Sequence, residues 1–138
     1  MENKQEYYTV VLAALLHDNG KLWQRATSPL LDRKQHPEFS AEFVSAFSAL
    51  FSRAADSELL KMLVQHHHES SKSFPSSLLV AGIPDPHARA LATIVSQADH
   101  FSASERGEAA EYGQPFKLTP MASVMEQVRI PKETEIET

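Results

Sequence analysis

Apolar positions recur along this chain with a helical period and nowhere with a convincing strand alternation. From about Glu6 to Leu16, the residues Tyr8, Val11, Leu12 and Leu15 stand at i, i+3, i+4 and i+7, which predicts a first helix with that face buried. Asn19-Gly20 is a common helix-ending pair. A loop containing Ser28-Pro29 follows, in a stretch carrying Lys21, Arg25, Arg33 and Lys34. A second helix is expected to begin at His36-Pro37, where proline suits a first turn, and to reach about Phe51 with Phe39, Phe43, Phe47 and Phe51 one turn apart. A third runs from about Ser57 to His68 on Leu59, Leu60, Leu63 and Val64. Ser70 to Asp85 reads as a loop broken by Pro75, Gly82 and Pro84, with a short helix at Ser76–Ala81. The fourth helix spans about Pro86 to Ser104, with His87, Leu91, Ile94, Val95 and Ala98 on one stripe. The fold class is all-α. A domain at 1–112 is expected to be followed by a loosely structured tail at 113–138, which holds a short helix at Ala122–Val128.

At 138 residues the chain is long enough for one buried core. Its 42% apolar and 22% charged residues are ordinary for a folded soluble protein. The absence of cysteine excludes disulfides, thiolate metal sites and cysteine nucleophiles, and it fits a reducing cytoplasm. The longest apolar run, Val10 to Leu16, is too short to cross a bilayer, and the opening MENKQEYY has no signal-peptide pattern, so no membrane partner is expected. A net charge of −5 argues against a general duplex-DNA binder. Locally, however, Lys21, Arg25, Arg33 and Lys34 against Asp32 leave +3, which suits the backbone of a single strand or, equally, a solvated surface. Trp23 and Phe74 are the best candidates for stacking on a base.

Seven histidines draw the reading toward a metal. In His17-Asp18-Asn19-Gly20-Lys21, an imidazole and a carboxylate at a helix end can share one ion, and the carboxylate can bridge two. The glycine permits a sharp turn, and the lysine can meet a phosphate oxygen. The plainer reading of that pair alone is a polar helix end. His36 is the second candidate ligand, although alone it reads as a capping or surface histidine. In His66-His67-His68-Glu69, projecting the third helix at about 100° per residue carries its apolar face onto His67 and then His66, leaving His68 last. Burying imidazoles is costly unless something satisfies them, and metal ligation does. Asp99 lies at the edge of the fourth helix's stripe, where it is either solvated or an inward ligand. His87 lies on that stripe, and His100 points away from it. Imidazoles and carboxylates on four helices, without thiols, suit manganese, iron, cobalt, nickel or zinc better than calcium. Such a set activates water against a phosphodiester, with Asp18 bridging ions and Lys21 stabilising the anionic phosphate.

These residues resemble an HD domain: LLHDNGKLWQRA, then HPEFSAEFV, a histidine cluster and IVSQADHFSASER. More closely they resemble the N-terminal HD nuclease domain of the large subunit of type III-A CRISPR effector complexes, through QRA after the HDxGK motif, Ser102 and Arg106 after Ala98-Asp99, and TPMASVMEQVRI at Thr119–Ile130. That last segment resembles the family's linker toward a downstream domain. The resemblance implies a nuclease of single-stranded DNA, using manganese, nickel or cobalt, that acts with the other subunits of an RNA-guided antiviral complex. It maps the metal ligands to His17, Asp18, His36, one or two of His66–His68, and Asp99, with Lys21 assisting.

Two other readings stand beside it. A free-standing HD phosphohydrolase acting on nucleotides or cyclic dinucleotides is suggested by the HHE triplet, but Ser70-Ser71-Lys72-Ser73 stands where that group's Gly-Tyr-Pro is expected. A non-catalytic docking domain would keep the metal site only as structure.

Overall fold

The computed structural model describes residues 3–27, 33–70 and 72–105. The expected tail at 113–138, the short helix at Ala122–Val128, Arg106 and the loop residues Ser28, Pro29 and Asp32 lie outside the described residues. The described chain is helical: α1 Lys4–Leu16, α2 Gly20–Ala26, α3 His36–Ala46, α4 Ser48–Phe51, α5 Ser57–Gln65 and α6 Pro86–Glu105, with 3-10 turns at Ser76–Leu78 and Val80–Gly82. No strand occurs among the described residues, only a single parallel bridge between His68 and Leu79. No described helix is long and apolar enough to cross a membrane.

Helix α5 forms the centre, with Leu60, Leu63 and Val64 fully enclosed, and it packs against α1, α3 and α6. Asp56 caps its start by accepting from the Glu58 and Leu59 amides. Val44 of α3, Ala13 of α1, and Leu91, Ala92 and Val95 of α6 complete one contiguous core with Ile83 and Val80 from the loop.

Helix α1 buries only part of the face its pattern predicts, Leu12 packing against the core. Leu15 is 73% exposed, and Tyr8 and Val11 also face outward, while Thr9 and Ala13 are fully buried. The reason is that the unbroken run Val10 to Leu16 carries no phase, so close approach decides which face goes inside. Ala13 lets α1 come against α5, and the Thr9 hydroxyl is satisfied twice, donating to the Gln5 carbonyl and accepting from the Asp56 amide. The expected second helix is likewise two, broken at Phe47 (φ −107°, ψ 20°), which leaves Phe47 about half exposed. The break turns the chain toward α5, where the Ser57 hydroxyl donates to the Ser48 carbonyl. On α6, Leu91 and Val95 are buried, but Ile94, Ala98 and His87 are exposed.

Candidate metal centre

Helix α1 ends at Leu16, and His17, Asp18 and Asn19 form the turn into α2. The glycine of the motif serves close approach rather than the turn's conformation. Gly20 is the first residue of α2, and a Cβ there would fall 1.9 Å from the His36 carbonyl oxygen and 2.6 Å from the Ser40 amide nitrogen. At this contact the Gly20 amide donates to Ser40 Oγ (2.8 Å), and that hydroxyl donates to the His17 carbonyl (2.7 Å). Ser40 therefore latches the His17–Asp18 turn onto the first turn of α3, which carries His36. Sequence patterning gives no signal for this role, because a serine inside a helix looks like any surface position.

Helix α5 stops at Gln65, one turn earlier than expected. His66 adopts φ −119°, ψ 38°, and His68 is drawn into the bridge with Leu79, its carbonyl accepting from the Val80 amide (2.9 Å). The helical projection that ranked His66 above His68 therefore fails. His67 is fully buried, and His68 reaches His36 (Nε2 to Nε2, 3.3 Å). The Nδ1 of His66 meets the Met62 carbonyl (2.9 Å), and His66 joins none of the metal-sized donor groups found among the described residues. Phe74, expected as a surface platform, stacks on His68 (centroids 4.6 Å apart, planes 18° apart) and meets His36 edge-on. Its ring is spent holding the site.

The donors converge. His17 Nε2 lies 3.2 Å from Asp99 Oδ1 and 3.5 Å from Asp18 Oδ2, while Asp18 Oδ1 lies 3.5 Å from His36 Nε2 and 4.0 Å from His67 Nε2. Two sets, His36/His67/His68 and His17/Asp18/His67, each offer donor atoms within 4.8 Å of one another. Atoms about 2.1 Å from a shared ion stand roughly 3 to 4 Å apart, so these spacings fit. The tautomers follow from the partners. The Nδ1 of His17 meets the Ala14 carbonyl (2.8 Å) and that of His67 the Val64 carbonyl (2.7 Å). A carbonyl only accepts, so each Nδ1 carries the proton and each Nε2 presents a lone pair. The buried His17 Nε2, His67 Nε2 and Asp18 Oδ1 have no hydrogen-bond partner. Buried acceptors facing one another are unfavourable unless a cation lies among them. The residues present thus fit a divalent ion.

The electrostatics prepare the same state. Burial, reinforced by Lys21, pushes His36 down to about 4, and burial with neighbouring His68 pushes His67 down to about 2. Burial also lowers His68, against the opposing pull of Asp99 and Asp18. Burial alone would raise Asp18. The hydrogen bond from Lys21 Nζ (2.6 Å) and the charges of His17, Lys21 and His36 outweigh that and hold it below the ordinary carboxylate range. Neutral imidazoles around an ionised carboxylate release few protons on taking up a metal.

Of the remaining candidates, Arg33 and Lys34 are exposed, and Lys34 pairs with Glu42 (2.5 Å). Arg25 is half-buried in the last turn of α2. His87 is fully exposed beside Glu6 (2.6 Å) at the opposite end of α6, and His100 is exposed.

A helical domain that brings together an adjacent His-Asp pair, further histidines and a distant aspartate has the arrangement of an HD-type metal-dependent phosphohydrolase. The HD domain family matches residues 4–104, and the chain belongs to it. No curated protein and no solved structure matches this chain.

Proposed function

We propose that this domain is a metal-dependent nuclease of single-stranded DNA that works within a type III CRISPR effector complex, alongside its other subunits. The observation that carries the hydrolytic part is the meeting of unpartnered His17 Nε2, His67 Nε2 and Asp18 Oδ1 with His36, His68 and Asp99. The single-strand and CRISPR parts are supported by the resemblance of LLHDNGKLWQRA and IVSQADHFSASER, and by the excess of Lys21, Arg25, Arg33 and Lys34.

His17, Asp18, His36, His67, His68 and Asp99 would hold the metal, manganese being favoured and nickel, cobalt, iron or zinc compatible with the donors. When bound, the metal supplies an acidified water and a counter-charge for a phosphoryl oxygen. With Nδ1 committed to Val64, His67 would offer a metal only Nε2. Asp18 turns one oxygen toward His36 and His67 and the other toward His17 and Lys21, which suits it to bridge. Lys21, partly exposed beside Asp18, offers its charge to an incoming phosphate.

Purified protein with manganese is expected to degrade single-stranded DNA. Asp18→Ala is expected to lose that activity, together with manganese-dependent thermal stabilisation, while retaining its helical circular dichroism. Digestion of mononucleotides or cyclic dinucleotides alone would replace the nuclease with a free-standing nucleotide phosphohydrolase. Failure to hydrolyse any phosphodiester with any divalent ion would leave a docking domain.

A further inference from the structure

Two turns along α3 from His36, the groove between α2 and α3 holds a cleft of about 170 Å³ lined by Trp23, Phe39, Glu42, Phe43, Ala46 and Phe47. Trp23 and Phe47 are each 47% exposed, whereas Phe39 is buried as the floor. The rings already face one another in tilted pairs, with Trp23 5.7 Å from Phe43 and Phe43 4.8 Å from Phe47. Leaving two large rings half in water is unfavourable. Nothing among the described residues covers them, and the break after Ala46 is what turns Phe47 to the cleft.

We infer that this cleft is a base-stacking subsite, which takes one nucleobase of a single-stranded nucleic acid whose phosphate reaches the metal centre. The inference rests on the nuclease reading above. Size selects one flat ring, since a cavity of ~150 Å³ is enough to take up benzene. Distance suits a single strand: the seven residues from His36 to Phe43 rise about 10 Å along the helix, a gap that a sugar and its phosphates can bridge. Charge is complementary, because Lys21 beside the metal site and Arg33 ahead of α3 are cations suited to phosphates. Lys34 Nζ stands 5.8 Å from the Phe39 ring centroid. The one acid in the lining, Glu42, is paired with Lys34, so the subsite offers π-faces and few hydrogen bonds. It therefore binds any base, which is what a degrading enzyme needs.

Trp23 is the only tryptophan, so its fluorescence reports the cleft directly. The full chain is titrated in chelator, where nothing is cut, with a short single-stranded DNA and with an abasic strand of equal length. The base-bearing strand is expected to quench Trp23 saturably, and the abasic strand to bind about tenfold more weakly. Phe47→Ala is expected to weaken the base-bearing strand by a similar factor. Phe47→Leu, which keeps the apolar packing but has no π-face, is expected to lose most of it too. Equal affinity for the two strands, or wild-type affinity in a folded Phe47→Leu protein, overturns the subsite, and the surface is then a contact for an apolar protein side chain. Because no hydrolysis is involved, the two readings fail separately. DNA cleavage without base-dependent quenching removes only the subsite, and base-dependent quenching without cleavage removes only the nuclease.

Discussion

Replacing Gly20 with alanine tests whether the site depends on a backbone contact between helices. The added Cβ would fall 1.9 Å from the His36 carbonyl oxygen, 2.6 Å from the Ser40 amide and 2.7 Å from Ser40 Oγ. Two of those atoms are main chain, so no rotamer change relieves the overlap and α2 must lift from α3 by more than an ångström. Overpacking of this kind costs about 1–3 kcal/mol. Lifting α2 also breaks the Gly20–Ser40–His17 hydrogen bonds, which leaves buried groups unsatisfied at about 1–3 kcal/mol. The sum, roughly 2–6 kcal/mol, is a large part of an ordinary domain's ~5–15 kcal/mol. Urea unfolding in chelator should show that loss, and calorimetric manganese binding should weaken because Asp18 and His36 separate. Ser40→Ala removes the hydroxyl without a clash and should cost only the hydrogen-bond part. If Gly20→Ala unfolds within about 1 kcal/mol of wild type and binds manganese equally well, the latch is not what joins the two halves of the site.

Two further predictions concern the histidines. His36 at about 4 and His67 at about 2 titrate well below the 6.5 of an unfolded histidine. The unfolded chain therefore takes up protons first as pH falls, and the metal-free protein should be fully stabilised above pH 6.5 and weaken from there toward pH 4. The slope approaches ~1.4 kcal/mol per pH unit for each imidazole. Asp18 acts only below its ordinary 3.8, outside this window. Urea midpoints at pH 7 and pH 5 should differ less in a His67→Gln protein, and an equal difference would contradict the neutral buried state. Separately, His66→Ala should cost about 1 kcal/mol through its lost bond to Met62 and leave manganese affinity unchanged, whereas His67→Ala should lower that affinity by more than about tenfold. Parallel losses of manganese affinity in both variants would place His66 among the ligands after all.

The parts of this site that were legible in the sequence are those fixed by residue type and adjacency. His17 beside Asp18 is recognisable as a pair, whereas His36 and Asp99 each also fit a plainer reading, a capping histidine and a solvated carboxylate. The parts that were not legible depend on where helices stop. Periodicity assigns a face only while a helix lasts, so carrying it through His66–His68 misordered residues that the structure holds in an extended segment bridged to Leu79. The same limit hid the buried face of α1, where seven apolar residues in a row leave phase to be decided by Ala13 and the doubly bonded Thr9.

Helix ends are also the physical reason the donors can be oriented at all. The last turn of a helix leaves carbonyls without intrahelical partners. Here His17 Nδ1 donates to the Ala14 carbonyl at the end of α1, and His67 Nδ1 donates to the Val64 carbonyl at the end of α5. Each bond satisfies a carbonyl, fixes a tautomer and leaves the opposite ring nitrogen facing the carboxylates of the site. His36, as the first residue of α3, enters from the complementary kind of end. Only Asp99 comes from within a helix, and it is the donor that pattern alone left balanced between solvent and site. If these donors hold a metal, the carbonyls that orient His17 and His67 toward it are ones the helix ends leave without backbone partners.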